Sequence, residues 1–435
     1  MCAFLLFLLP HAAAAAAGCG ALPEWFTGVP SIPTFEPRNT CQFQQWAWQA
    51  FLALLQTDGS QQTPLYFTWP LPKNSIYDLY CERVCHSDAR LPPNPCNPPT
   101  QKEFVNATTQ PGFVSPTTSG ELIDQAGKPV YFTSHVSPEW VDFITRRQLY
   151  DNKVLESANP HLAFRAGAFE IKTSWRFTSG MSPAEKAQYY TTTACVAPED
   201  HSTPFPAELA LVGFHITGGA PGHPELLWAT FEHARNAPDC DATPAPGKWS
   251  FYDGKTNCRT QECNQPNPKG GSDPVNVCRK LSYGGASPQT AHQIAGLNEE
   301  VHNRLPRESK WRFYDLIGTV WGNDPRPQCL EADSPVPCDI PPAADTSTFN
   351  LQEPSGSPLL SNTSLETFKQ NVSCFGCHNA QFPGEFASIA GGSPAIFQNK
   401  NLFASHVVLF SIFFAADECA QVCPNPAGLA GKSKR

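Results

Sequence analysis

The sequence predicts an α+β protein: an antiparallel β-sheet core with flanking helices and disulfide-rich loops, followed by a helical C-terminal segment. The sheet is predicted from four stretches between residues 161 and 235, where apolar side chains alternate or β-branched and aromatic residues cluster. Long irregular connections are predicted from 44 Pro, about twice the usual ~5% share. The 17 Cys indicate an oxidising compartment in which disulfides stabilise such connections.

An export signal is predicted for residues 1–19. Residues 3–9 form an apolar run and residues 12–18 are small, which is the pattern of a secretory signal peptide cleaved after the alanines. A second interpretation is a bacterial lipobox at residues 16–19, with a lipid on Cys19, although the Leu usually found three residues before that Cys is missing. We therefore expect an exported protein, with a lipid anchor at Cys19 as the alternative.

Residues 20–134 are predicted to contain one helix followed by a long irregular region. The helix is expected over residues 41–56, because Asn39-Thr40 is a suitable N-cap and a wide apolar stripe follows it. That stripe indicates a largely buried helix. The irregular region covers residues 57–134, and its prolines surround three cysteines that we expect in disulfide-stapled loops: Cys81, Cys85 and Cys96.

Residues 135–350 are predicted to form the β core. A short helix begins at Pro138, and a Cys-rich insertion at residues 236–290 interrupts the core. Disulfides are preferred over zinc in this insertion, because Cys258 and Cys263 lack the tight paired spacing of a structural zinc site. The predicted strands are residues 169–177, 189–196, 209–216, 226–233 and 311–321, with a turn at 218–222 and a short helix at 297–305.

Residues 351–435 contain the most specific motif of the chain, Cys374-Phe375-Gly376-Cys377-His378. Its Cys-x-x-Cys-His spacing is that of c-type haem attachment. One turn presents two thiols to the vinyl groups of a single porphyrin, and the adjacent His binds the iron. We predict one covalent haem c, with Cys374 and Cys377 as thioether anchors and His378 as proximal ligand. The alternative is a disulfide or a thioredoxin-like redox pair between the two cysteines.

The sequence on each side of the motif is predicted to be helical and to enclose the haem. Thr363 and Glu366 form a capping box, which predicts a helix over residues 364–370 that leads to Cys374. Residues 402–416 are strongly apolar but too short for a membrane helix. We expect this run to cover the porphyrin in a C-terminal cytochrome c-like segment.

Composition restricts the classes of partner. Charged residues make up only 16% of the chain and the net charge is −9, which argues against nucleic-acid binding. A mildly acidic surface suits a basic or neutral protein. We expect a redox partner protein in the periplasm or at the cell surface.

Four stretches together resemble a group of exported bacterial c-type cytochrome-like proteins that is mostly uncharacterised. The resemblance covers residues 40–416 without the Cys-rich insertions, and only the haem motif within it is chemically specific. It implies a covalent haem and a periplasmic or surface location, and it supplies no substrate. The stretches that carry it are residues 211–216 (LVGFHI), 228–233 (WATFEH), 361–368 (SNTSLETF) and 374–378 (CFGCH).

The sixth ligand of the iron is left open by the sequence. Small electron-carrier cytochromes use an axial Met beyond the haem motif, but no Met follows His378 here. The chain has two Met, and Met1 belongs to the signal. The remaining candidates for the sixth ligand are Met181, His215, His233 and His406.

Three function classes follow from these patterns. The first is an exported mono-haem cytochrome that acts in electron transfer. The second is a peroxidase- or oxygenase-like haem enzyme with an open sixth position and a small-molecule substrate, for which the catalytic candidates are His215, His233 and Glu232. Glu232 and His233 are adjacent on a predicted strand and should point to opposite faces of the sheet. The third is a disulfide-rich secreted binding protein without haem.

Overall fold

The computed structural model describes residues 19–28, 30–55, 64–70, 103–104, 120–149, 164–196, 205–268, 272–322, 354–371 and 374. Several sequence-based expectations lie outside these residues. They are residues 1–18 of the predicted signal peptide, the cysteines at 81, 85 and 96, the apolar run 402–416 with His406, and two members of the Cys-x-x-Cys-His motif, Cys377 and His378.

The described residues contain four α-helices, four short 3-10 helices and ten strands. The α-helices are α1 (Thr40–Leu55), α2 (Pro138–Arg146), α3 (Pro183–Lys186) and α4 (Pro288–Arg304). The 3-10 helices are Pro23–Phe26, Leu65–Thr68, Ser282–Gly285 and Lys310–Phe313. The strands are β1 (Glu103–Phe104), β2 (Gly120–Glu121), β3 (Tyr131–Val136), β4 (Phe169–Phe177), β5 (Thr191–Val196), β6 (Phe205–Ala220), β7 (His223–His233), β8 (Asn267–Pro268), β9 (Tyr314–Trp321) and β10 (Ser355–Gly356).

One large sheet organises the described part of the chain and confirms the predicted α+β class. Its strand order is β1-β5-β6-β7-β9-β10, and β4 joins the other edge of β6 with β3 beyond it. All of these pairs are antiparallel except β1 with β5. Strand β6 is central because it pairs with β4, β5 and β7 along its 16 residues.

The strands are longer and more numerous than the sequence predicts. The turn expected at residues 218–222 is shorter, because β6 continues through Gly218 and Gly219 to Ala220. Strand β3 lies in a region predicted to be irregular, where its aromatic and β-branched residues pair with β4 in a regular register. Helix α4 begins nine residues before the predicted start, because the Ser287 hydroxyl accepts from the Thr290 amide and caps a first turn of low hydrophobicity.

Helix α1 packs across one face of the sheet and forms the core, as its apolar stripe predicts. Trp46 stacks on Phe169 at 5.7 Å between ring centroids, and Phe51 stacks on Phe231 at 4.0 Å. Both helix residues are fully buried. Burying a side chain such as Phe51 contributes about 1.5–3 kcal/mol relative to exposure. The aromatic residues of α1 are therefore used in the core.

The opposite face of the sheet is polar, and residues 354–371 cover it. This stretch is called the docking segment below. Alternation places Lys172 and Ser174 of β4, His215 of β6, and Thr230 and Glu232 of β7 on this face. Side-chain hydrogen bonds from Ser174, His215, Thr230 and Glu232 to the docking segment confirm the assignment.

The helix predicted over residues 364–370 is wrong, since the described chain forms consecutive turns there. A capping box requires the Thr363 hydroxyl and the Glu366 carboxylate to bond the local backbone. In the structure the Thr363 hydroxyl donates to Glu232 on the sheet, and the Glu366 carboxylate accepts from the Asn362 amide and contacts His215. The Thr363 hydroxyl and one oxygen of Glu366 therefore bond the sheet, and local backbone bonds form turns that do not continue into a helix.

Three disulfides within the described residues bear out the predicted disulfide-rich loops: Cys19–Cys41, Cys240–Cys278 and Cys258–Cys263. The sulfurs of Cys258, Cys263 and Cys278 lie within 4.8 Å of one another, and all three belong to disulfides, in line with the preference for bridges over zinc. The bond from Cys19 to Cys41 uses the sulfur that a lipid anchor would modify. Among the described helices, none has both the length and the apolar character needed to span a bilayer.

Candidate functional site on the polar face of the sheet

The first cysteine of the Cys-x-x-Cys-His motif lies against the polar face, beside Trp228 of β7. Cys374 is half-buried and packs on a small apolar cluster that is separate from the main core. Its Sγ lies 3.9 Å from the carbonyl oxygen of Leu360 in the docking segment. The buried members of the cluster are Trp228, Ile317, Val320 and Leu360.

The strand register gives the distances from this cluster to the polar residues. Trp228 of β7 lies opposite Thr217 of β6, and His215 lies opposite Thr230. His215 is therefore a diagonal neighbour of Trp228, and such neighbours have Cα atoms about 7–8 Å apart. Glu232 is four residues from Trp228 on the same strand, which is about 14 Å.

His215 is the sequence-predicted site residue that the structure brings closest to the motif. Its Nε2 lies 2.7 Å from Oε1 of Glu366, eight residues before Cys374. Burial raises the pKa of Glu366, but His215, Lys172 and the Asn362 amide outweigh it, so that this pKa is lowered. Glu366 is therefore a carboxylate that pairs with the His215 ring on the polar face, over the central strand β6.

Lys172 completes a small charged group around this pair. It lies directly opposite His215 in the β4–β6 register and on the same face. Burial lowers the pKa of its ammonium group, while the carboxylates of Glu366 and Glu170 oppose that shift. A His, a carboxylate and a Lys in this arrangement can hold or transfer a proton close to the Cys-x-x-Cys-His motif.

Glu232 binds the docking segment to the sheet. Its side chain is fully buried and accepts from the Thr363 amide at 2.8 Å, from the Thr363 hydroxyl, and from the guanidinium of Arg279. These contacts use both carboxylate oxygens. They hold the docking segment on the sheet, and they keep Glu232 away from Cys374.

His233 lies on the other face of the sheet, as the alternation of the strand predicts. It is fully buried, and its ring stacks on Tyr189 with 3.7 Å between centroids. Nε2 bonds the Gln188 carbonyl and Nδ1 accepts from the Arg235 amide. Burial lowers the pKa of His233 to about 3 despite the Gln188 bond. Both ring nitrogens are therefore engaged within the core, on the face that Cys374 does not occupy.

Met181 lies at the opposite end of the sheet from Cys374. Its amide bonds the carbonyl of Thr178, just beyond the last residue of β4, and its side chain packs on the main core. In the strand register Glu170 of β4 pairs with Thr217, and Thr217 pairs with Trp228, the residue on which Cys374 packs. Phe177, at the end of β4 that leads to Met181, is seven residues further along the strand. Seven residues of strand span about 23 Å, so the structure does not bring Met181 near the motif.

Lys172, Trp228 and Glu366 are the site residues that the sequence interpretation did not assign. The alternating pattern of residues 169–177 places Lys172 on the side of the strand opposite its apolar residues, and that signal could have identified it. Glu366 was assigned to a capping box, and only the fold places it beside His215. The remaining predicted ligands, Cys377, His378 and His406, lie outside the described residues.

Comparison of the chain with protein-family models, with curated proteins and with solved structures gives no match in any of the three. A function for this chain has to be inferred from its own residues.

Proposed function

We propose that this protein is an exported mono-haem c-type cytochrome that acts in electron transfer. The observation that carries the proposal is the Cys-x-x-Cys-His motif at residues 374–378. The disulfides among the described residues support it, because they form in the oxidising compartments to which exported chains are delivered.

The surroundings of Cys374 fit a covalently held haem. A porphyrin needs apolar contacts at its edge, and Cys374 packs on a buried apolar cluster outside the main core. Cys374 and Cys377 would hold the porphyrin through thioethers, and His378 would bind the iron. When bound, the haem supplies one-electron redox chemistry.

His215 is the sixth-ligand candidate favoured by its position one diagonal step from Trp228. An imidazole that binds a metal through one nitrogen commonly bonds a carboxylate through the other, and Glu366 is 2.7 Å from Nε2. Met181 is disfavoured by the length of β4 that separates it from Cys374. His233 is disfavoured because both of its ring nitrogens are hydrogen-bonded in the core.

A haem enzyme with an open sixth position is the second candidate, and the His215–Glu366 pair is the observation that favours it. In that case His215 holds or moves a proton for a small-molecule substrate, and Glu366 orients the ring. Glu232 and His233 are not expected to take part directly, since their polar atoms are used in packing contacts.

Ligand-binding spectra of the purified protein distinguish the two candidates. The protein is produced in a host with haem-attachment machinery, and its ferric spectrum is recorded with and without cyanide. A six-coordinate low-spin spectrum that cyanide changes only slowly supports the electron carrier with an internal sixth ligand. Rapid cyanide binding by the wild type supports the enzyme.

The variant His215→Gln identifies the ligand, and His292→Gln is its control because His292 is exposed on α4. If His215 binds the iron, only His215→Gln becomes high-spin and binds cyanide rapidly. If both variants keep the wild-type low-spin spectrum, the assignment of His215 is incorrect. A colourless protein would support the disulfide-rich binding protein instead.

A further inference from the structure

A polar cavity lies between α4, β9 and the turn that follows Arg279. Its volume is about 420 Å³, which is within the range of small-molecule pockets, ~300–1,000 Å³. We propose that this cavity binds a small organic cation, an amine or guanidinium compound with an apolar part. The lining residues that bear on the proposal are Asp239, Arg279, Tyr283, Glu299, His302 and Asp315.

Three carboxylates line the cavity, and its Arg does not neutralise all of them. The Arg279 guanidinium pairs with Asp239 at 2.6 Å and with the buried carboxylate of Glu232 behind the wall. No arginine or lysine forms an ion pair with Asp315 among the described residues, and the Nε2 atom of His302 lies 3.7 Å from its carboxylate. The cavity therefore carries excess negative charge.

Asp315 and Glu299, the lining carboxylates that Arg279 does not pair with, carry more negative charge than the single side chain of His302 can offset. Its Nε2 lies 2.8 Å from the Tyr314 carbonyl oxygen, so this nitrogen carries a proton and donates to the backbone. Burial raises the pKa of Asp315 against the opposing effects of His302 and Arg279, as expected of a carboxylate with too little positive charge around it.

Tyr283 adds an aromatic ring to the lining and stands in a strained backbone conformation. Its φ is 50°, and Gly284 and Gly285 follow with φ of 62° and 68°. A non-glycine residue in this region costs on the order of 1 kcal/mol or more, and such strain is concentrated at functional sites. An aromatic ring beside carboxylates is suited to an organic cation, because the ring face attracts positive charge.

The size and the donors of the cavity disfavour a bare divalent metal ion. Calcium takes six to eight oxygen ligands at about 2.3–2.6 Å, and magnesium takes a near-ideal octahedron. Here the Arg279 guanidinium already donates to Asp239, and Glu299 lies at the exposed rim on α4. An extended ligand that reaches from Asp315 to the rim fits this distribution of charge. The inference does not depend on haem at Cys374.

Calorimetric titration of the full-length protein with benzylamine tests the proposal. Benzyl alcohol and benzoate serve as neutral and anionic probes of the same shape, and calcium chloride serves as the metal probe. We expect the cationic amine to bind at millimolar concentration or below, and the other three probes to bind at least about tenfold more weakly.

Asp315→Asn and Glu299→Gln are each expected to weaken amine binding, about tenfold for Asp315→Asn and less for the rim residue. Glu139→Gln is the control, because Glu139 is an exposed carboxylate on α2. Glu299 is exposed, so Glu299→Gln keeps the test valid if Asp315→Asn fails to fold. Four results would each overturn the proposal. They are equal binding of amine and alcohol, equal amine binding by both variants and the control, preferential calcium binding, and no amine binding.

Discussion

Replacing Glu232 with Gln should release the docking segment from the sheet. The wild-type carboxylate is fully buried and accepts three hydrogen bonds, two from Thr363 and one from Arg279. The variant has one amide oxygen in place of two carboxylate oxygens, and its NH₂ group faces donors. Among the ion pairs that the described residues form, Arg279 keeps the one with Asp239.

The size of the stability loss follows from the burial of the ion pair between Glu232 and Arg279. Removing one partner of a buried ion pair costs about 3–5 kcal/mol, because the remaining charge is left uncompensated. Asp239 still compensates part of the Arg279 charge, and the Gln oxygen still accepts from the Thr363 amide. We therefore expect a loss of about 3 kcal/mol, a large share of the ~5–15 kcal/mol that stabilises a typical folded protein.

The assay is urea denaturation combined with amide hydrogen exchange. Glu208→Gln is the matched control, since Glu208 lies in the same sheet and pairs with Lys186 while 39% of its side chain is exposed. Exposed pairs contribute about 0–1 kcal/mol. We expect Glu232→Gln to raise exchange at residues 360–371 before the rest of the sheet opens. Equal stability of the two variants, or unchanged exchange in this segment, would refute the reasoning.

Three further predictions follow. Gly213→Ala should destabilise the protein by about 1–3 kcal/mol, because the added Cβ would lie 2.9 Å from Asn362 Oδ1 and closer to the Ser364 and Ser174 hydroxyls. The control is Gly296→Ala in α4, where an added Cβ meets nothing within 4 Å. Thermal denaturation should show that this control is neutral or stabilising. Burial lowers the pKa of His223, but its Glu225 and Pro37 bonds raise it overall above 6.5, so its stabilisation is present at low pH and lost as the pH rises through the folded-state value. The stability difference between wild type and His223→Gln should therefore shrink as the pH rises above 6.5, and a difference that grows with rising pH would contradict the sign. Non-reducing peptide mapping should recover Cys19 linked to Cys41, and recovery of a lipid-modified Cys19 peptide would contradict that bond.

The sequence predicts the elements whose signals are local. Helix α1 has its apolar stripe and β4 its alternation, and both lie close to their predicted bounds. The docking segment could not be predicted in the same way. Thr363 and Glu366 have the spacing of a capping box, but their partners are Glu232 and His215, which are 131 and 151 residues away in sequence. A local motif cannot indicate which distant strand will offer a better acceptor.

The candidate site was predictable only in part for the same reason. The motif at residues 374–378 identifies Cys374 without any fold, because the spacing itself carries the chemistry. Whether His215 or His233 lies near Cys374 depends on which face of the sheet each histidine occupies and on which face Cys374 packs. The structure provides that information through the Trp228–Thr217 register and the contacts of Cys374.

The most direct test of the central claim is the mass of the peptide that contains Cys374 and Cys377. The protein is made in a host with haem-attachment machinery, digested, and analysed under reducing conditions that open disulfides and leave thioethers intact. We predict that this peptide retains the mass of one haem, that Cys374→Ala together with Cys377→Ala abolishes it, and that Cys258→Ala together with Cys263→Ala does not. Recovery of the wild-type peptide with two free thiols and no haem would contradict the claim.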